Sequence, residues 1–252
     1  LIKKSKWGLT APIFNAKIHT IPIGIKKKRN GVNMDTEFIS QYTPMYVEAA
    51  KLTLYLGIMG VLISIVIGLV ASIIQYYKVP VLRQIVSVYI ELSRNTPLLV
   101  QLFFLYFGLP KLNIVLESET CAIIGLSFLG GSYMAEAFRS GLQAVDKSQL
   151  EAGLSVGLKH RQVMQYIILP QALSTSIPAL CANVIFLIKE TSVFSVVALA
   201  DLMYVAKDLI GLYYKTDEAL LMLVISYLVI LLPISIIATL IERRLRYAGF
   251  GN

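Results

Sequence analysis

The sequence predicts an all-α, polytopic membrane protein with five transmembrane helices. Three observations carry that reading. Hydrophobic residues make up 56% of the 252-residue chain and charged ones only 15%, against about 25% charged in an ordinary globular domain. Two runs, LTLYLGIMGVLISIVIGLVASII at 52–74 and ALLMLVISYLVILLPISIIATLI at 219–241, contain no charged side chain. Each exceeds the roughly 20 residues that a helix rising about 1.5 Å per residue needs to cross hydrocarbon.

The first span is read over 48–74. The second, 82–108, contains SRNTPLLVQLFFLYFGLP: a polar start at Ser93–Pro97, an apolar run from Leu98 to Phe107, and a Gly108-Leu109-Pro110 stop. The third covers 119–138. The fourth, 178–199, is less hydrophobic and carries Lys189 and Glu190; the fifth covers 218–241. Residues 139–171 are too polar to span and too patterned for a loose linker. Residues 1–42 read as a basic, polar tail without the continuous apolar region of a signal peptide, 43–246 as the membrane domain, and 247–252 as a short C-terminal tail.

Orientation follows from basic residues near span ends. With the C-terminus cytoplasmic, the inner segments hold Lys78, Arg83, Arg139, Lys147, Lys159, Arg161, Arg243, Arg244 and Arg246, whereas the outer loops hold Lys111, Lys207 and Lys215. The tail runs against this bias, with KKKR at 26–29 and Lys51 placed outside. The net charge of +8 therefore belongs to membrane topology and does not point to nucleic acid. Cys121 and Cys181 lie in apolar surroundings without metal-ligand spacing, and His19 and His160 pair with no nucleophile, so neither a metal site nor a catalytic group is expected. Tyr76, Tyr77, Tyr106, Tyr213, Tyr214 and Tyr247 fall near span ends, as interfacial anchors do.

Within 146–170, Asp146 and Gln149 have the spacing of a capping box. A short helix is expected at Gln149–Ser155, then a tight turn at Gly157, then a second helix over Arg161–Leu169 that Pro170 ends or kinks. Ala152, Gly153 and Val156 are small or apolar and allow another surface to approach closely. The residues alone fit either a docking element or an amphipathic interfacial helix pair.

Charges inside apolar spans normally face the protein interior or a water-filled path. Glu91 and Arg94, and Glu136 and Arg139, each have the three-residue spacing of a helical ion pair. Arg94, with Asn95 and Thr96 beside it, is placed either in a structural pair with Glu91 or on a transport path, where its guanidinium can meet a carboxylate bidentately. Pro97 removes the amide that would bond the Ser93 carbonyl, which must then find another partner. Lys189, Glu190, Thr191 and Ser192 form a second polar cluster, expected to face the first beside the pathway.

The run EAGLSVGLKHRQVMQYIILP resembles the cytoplasmic-loop signature of membrane subunits of binding-protein-dependent ATP-binding-cassette importers: Glu-Ala-Ala, three residues, Gly, nine residues, Ile, one residue, Leu-Pro. It falls on Glu151, Ala152, Gly153, Gly157, Ile167, Leu169 and Pro170, with Gly153 in place of alanine at a cost of up to ~1 kcal/mol of helix propensity. SRNTPLLVQLFFLYFGLP and LIKETSVFSVVALADL (187–202) resemble the polar amino-acid permeases of this class, with Asn95 where glycine is commonest. The resemblance covers about 46–246.

It implies a type I importer fold in a bacterial plasma membrane and uptake of a polar amino acid. Partners would be a second permease copy or sister permease, a cytoplasmic ATPase dimer that holds ATP and Mg, and an extracytoplasmic amino-acid-binding protein. The loop would dock on the ATPase as a coupling helix. The chain itself would bind no cofactor: the sequence contains no Gly-x-x-x-x-Gly-Lys-Ser/Thr phosphate loop. A secondary transporter or channel acting alone is the competing reading, and it leaves 146–170 without a role.

Overall fold

The computed structural model describes residues 34–249, and every regular element among them is helical. Helix α1 runs over Thr36–Tyr76, so residues 36–42, read from sequence as tail, form its first turns. Asp35 starts it by accepting the Phe38 amide at 3.0 Å, which satisfies a donor that the first turn cannot. Small residues recur along one face of α1, and that face packs against α4, Ser118–Ala144. Small faces let membrane helices approach at backbone distance, where dispersion and interhelical hydrogen bonds drive association.

Helix α2, Leu82–Arg94, stops at a break over Asn95–Pro97, and α3, Leu98–Phe103, resumes beyond it. A wide π turn at Phe104–Gly108 and a tight 3-10 turn at Leu109–Leu112 continue α3, and left-handed Asn113 ends it. The second expected span is therefore two half-helices. Among the described residues, four helical stretches are long and apolar enough to cross a membrane unbroken: Thr36–Tyr76, Ser118–Ala144, His160–Val197 and Thr216–Leu245.

Helix α5 spans Lys147–Ser155. After the Gly157 turn, α6 (His160–Val163), a π turn (Met164–Ile168) and α7 (Leu169–Glu190) follow one another without interruption. The break expected at Pro170 is absent. In the π turn the Leu169 amide reaches the Met164 carbonyl, five residues back, and this wider winding moves the backbone that the proline ring would otherwise strike. Pro170 follows as the second residue of α7, its ring accommodated by the wider turn before it.

A 3-10 turn at Thr191–Val197 leads to α8, Leu202–Tyr213, and then to α9, Thr216–Gly249. Leu56, Leu102, Leu126, Leu187, Phe194, Val197 and Leu202 are fully buried where α1, α3, α4, α7 and α8 converge. Leu62, Val66 and Val70 on α1, and Val229, Leu232 and Ile236 on α9, remain exposed. Such apolar stripes are at home against lipid. At one end, Lys215 pairs with Asp35 at 2.9 Å and Tyr46 donates to the Ala219 carbonyl at 2.8 Å, tying α1 to the start of α9. At the opposite end, α5 and α6 gather beside the last turns of α1 and α4.

Candidate functional site

Side chains bond several of the carbonyls that the break between α2 and α3 exposes. Thr96 Oγ1 donates to the Leu92 carbonyl at 2.8 Å, and Asn95 Nδ2 to the Glu91 carbonyl at 2.8 Å. The Ser93 carbonyl, expected to lose its helical donor at Pro97, receives Gln101 Nε2 at 3.2 Å. The same nitrogen donates to the Thr96 carbonyl at 3.0 Å. Asn95 thus uses, as a cap, the position where glycine is commonest among the resembling permeases.

Arg94 does not pair with Glu91. Its Nη1 lies 3.7 Å from Glu136 Oε2 on α4, and its guanidinium stands over the Tyr133 ring, 5.3 Å from the centroid. Glu91 instead receives Asn95 Nδ2 at 3.2 Å. The reason is tertiary: α2 crosses α4, and the long arginine side chain reaches the neighbouring helix while the shorter Asn95 takes the local carboxylate. The Glu136–Arg139 pair forms as its spacing predicts, with Nε 3.0 Å from Oε1 and Nη2 2.6 Å from Oε2. One carboxylate therefore holds two guanidiniums, the bidentate arginine more tightly.

The second cluster, Lys189 to Ser192, lies where α7 passes into the 3-10 turn. Lys189 is exposed, Glu190 is half-buried, and buried Thr191 bonds the Ile188 carbonyl at 2.7 Å. Among the described residues no hydrogen bond or ion pair joins the two clusters. Tyr133, beneath Arg94, packs on α7, its ring 5.1 Å from that of Phe186 and its carbonyl receiving Asn183 Nδ2 at 3.1 Å.

Asp201 lies in the connection between α7 and α9, outside the spanning segments. It caps α8 by accepting the Tyr204 amide at 3.1 Å and the Met203 amide at 3.3 Å. Burial pushes its carboxyl up to about 6, against the pull of those amides and of Lys207. A raised carboxyl pKa means the folded protein holds the proton more tightly than the unfolded chain, so this contribution to stability is complete below about pH 4 and lost as pH rises through about 6. Asp201→Asn keeps the cap without the charge. Its melting temperature is expected to exceed the wild type's above pH 6 by the equivalent of roughly 2–3 kcal/mol and to converge with it near pH 4. Parallel melting curves across pH 4–8 would show that Asp201 carries no such penalty.

In the motif segment, Asp146 Oδ1 accepts the Ser148 amide at 2.8 Å, so α5 starts at Lys147; the Gln149 amide reaches the Asp146 carbonyl at 3.1 Å, but its side chain makes no return bond of a capping box. Gly157 has φ +86°, the left-handed conformation that ends a helix, with its amide on the Leu154 carbonyl at 3.0 Å. Gly153 faces inward: a Cβ there would lie 2.8 and 2.9 Å from the two methyls of Val163. Its small size serves the fold of α6 back onto α5, not the approach of another surface. Glu151, Ala152, Leu154 and Val156 stay exposed on the outer face, as do Leu169 and Pro170. Half-buried Ile167 packs with Leu142, Val145 and Leu150 around buried Val163, Met164 and Ile168, rooting the pair on α4 and on Tyr76 of α1.

A cavity of about 780 Å³ joins these parts. Its walls include Glu91, Glu136 and Arg139 from the charged cluster and Asp146, Leu150 and Glu151 from the α5 segment. Gln101, the residue that seals the break, was not singled out in the sequence, although it is the one side chain in Leu98–Phe107 that combines an amide donor and acceptor.

Comparison with known proteins gives one consistent picture. The family described as "Binding-protein-dependent transport system inner membrane component" matches residues 60–247. "Probable amino-acid permease protein YxeN" of Bacillus subtilis (strain 168) is 38% identical over 213 residues, covering 83% of this chain and 95% of that protein. "Glutamine transport system permease protein GlnP" of Escherichia coli (strain K12) is 33% identical over 205 residues, covering 81% and 94%. The structure described as "Crystal structure of an amino acid ABC transporter with histidines" superposes with a TM-score of 0.79 at 34% identity, covering 84% of this chain and 99% of that one. A MetNI methionine ABC transporter in an inward-facing conformation shares the fold, with a TM-score of 0.66 at 19% identity over 81% and 98%.

Proposed function

The chain belongs to the binding-protein-dependent transport system inner membrane components, and from that premise we propose how this permease subunit of ATP-driven amino-acid uptake moves its substrate. ATP hydrolysis belongs to a separate ATPase. The substrate is a polar amino acid, as the names of the permeases similar to this chain support. An ATPase dimer sits at the cytoplasmic face with the C-terminus, and an extracytoplasmic binding protein delivers to the opposite end. A second permease, identical or a sister chain, completes the pathway. The two half-helices α2 and α3 make the second of five crossings. Arg94, Asn95, Thr96, Pro97 and Glu91 lie on the path where that crossing breaks, and Lys189, Glu190, Thr191 and Ser192 flank it separately.

One observation carries the coupling: the cavity beside α5 is also the cavity of the Glu91–Glu136–Arg139 cluster. Helix α5 presents Ala152, Leu154 and Val156 outward to a groove on the ATPase, with Glu151 at the edge between that face and the cavity, and Gly157 sets the angle of that presentation. When the ATPase dimer closes on ATP it draws α5 with it. Movement of α5 displaces Asp146, Leu150 and Glu151, and so shifts one wall of the space the charged cluster occupies. Each ligand shifts the two conformations only as far as it binds them unequally.

Gly157→Arg tests this. No atom lies within 4 Å of a Cβ at that position, so the fault introduced is backbone strain at a positive φ and bulk on the docking face. In the purified transporter the substitution is expected to cut binding-protein-stimulated ATPase at least about tenfold, while ~1–2 kcal/mol of local strain leaves subunit assembly in place. Full stimulation would refute docking through this turn, and uptake by the permease without any ATPase would refute the function.

A further inference from the structure

Gln101 has an arrangement that the pathway reading does not require. It projects from α3 back across the break, and its single Nε2 donates to two carbonyls, Ser93 at 3.2 Å and Thr96 at 3.0 Å. Two carbonyls on one side fix which end of the amide is the nitrogen, because the reversed amide would set oxygen against oxygen. The other end, Oε1, is buried. Ser93 adjoins Arg94, and Ser93 Oγ is itself held on α4 by Ser132 Oγ at 3.0 Å and the Phe128 carbonyl at 2.9 Å. The contacts of Gln101 therefore fix the last turn of α2 at the point from which Arg94 reaches Glu136.

We propose that Gln101 is a positioning residue for transport, a latch across the break that holds Arg94 on Glu136 and lets go when the pathway changes conformation. Two hydrogen bonds between neutral groups, Gln101 Nε2 to the Ser93 and Thr96 carbonyls, hold the break and are weak enough to be given up when it moves. The inference rests on the pathway reading of Arg94.

The test uses the full transporter with its ATPase and binding protein, and reads the ratio of binding-protein-stimulated to basal ATPase. Gln101→Leu removes donor and acceptor at similar volume and is expected to lower that ratio about tenfold, the shift two modest hydrogen bonds can hold. Gln101→Met serves where leucine fails to assemble. On a Glu136→Gln background, where Arg94 has already lost its carboxylate, Gln101→Leu is expected to change the ratio less than about twofold further, because residues acting through one another are not additive. Arg94→Ala measured alongside separates the failures. If Arg94→Ala lowers the ratio while Gln101→Leu leaves it at wild type, or if Gln101→Leu and Glu136→Gln act additively, the latch is wrong and the pathway reading stands. If Arg94→Ala has no effect, the pathway reading falls and the latch with it.

Discussion

Gly68→Val is expected to reduce the amount of assembled permease in the membrane by more than about tenfold, through overpacking worth about 2–3 kcal/mol. Gly68 lies on the small-residue face of α1 where it meets α4. A Cβ added there would collide with Met134 Cβ and lie 2.7 Å from the Ala135 amide nitrogen. The second contact decides the outcome: a side chain can rotate away, but the backbone of α4 cannot yield without carrying the helix with it. Valine adds two methyls beyond that Cβ, so α1 and α4 must separate along the seam. In a membrane little hydrophobic force compensates, because lipid tails solvate the exposed faces as well as a neighbouring helix does. Gly211→Val is the control, since nothing lies within 4 Å of a Cβ at that position of α8. Quantitative blotting of membrane fractions, followed by thermal melting of the purified protein, separates the two. Equal yields would mean that α1 and α4 do not depend on backbone contact at Gly68.

The parts legible in the sequence were those written in local composition. Uncharged runs located α1 and α9, the spacing from Glu151 to Pro170 located the α5–α6 element, and Pro97 located the break together with the carbonyl it would strand. What the sequence left open was the choice of partner. At Arg94 the three-residue spacing to Glu91 is as favourable on paper as the three-residue spacing of Glu136 to Arg139, yet only the latter pair forms. The choice depends on where α2 crosses α4, and no periodicity records that crossing. Gly153 misled for a related reason: a small residue on a short helix suits close approach by any surface, and the Gly157 turn brings the chain's own Val163 to it. At Pro170 the local rule of helix ending was overridden by the π turn before it, which takes up the distortion in advance. Gln101 carried a signal that could have been used. An amide in an apolar run four residues after a helix-breaking proline is placed to reach back to the carbonyls the break exposes.

Replacing Glu136 by glutamine is expected to lower uptake roughly thirtyfold while leaving most of the protein assembled. The carboxylate holds Arg139 in a bidentate pair and Arg94 at 3.7 Å. Glutamine keeps the shape but removes the charge and turns one oxygen into a donor, so two guanidiniums face each other across a group that neutralises neither. Breaking a buried ion pair from one side costs about 3–5 kcal/mol. Here the Glu136 side chain is 24% exposed and its partners 41% and 43%, so water and salt screen the residual repulsion and about 2 kcal/mol is the fitting scale. That is enough to drive Arg94 off its site, but too little to unfold the helix bundle. Glu91→Gln is the matched comparison. Glu91 makes no ion pair among the described residues, and a neutral amide oxygen can still accept Asn95 Nδ2, so less than about a twofold loss is expected where only a peripheral hydrogen bond changes. The contrast separates the two accounts of this cluster. If Arg94 worked with its sequence neighbour, Glu91→Gln would be the damaging change; if it works with Glu136 on α4, the order is reversed. Uptake by reconstituted transporter at two salt concentrations decides between them, because the Glu136 defect should grow as salt is lowered and the repulsion between Arg94 and Arg139 loses its screening.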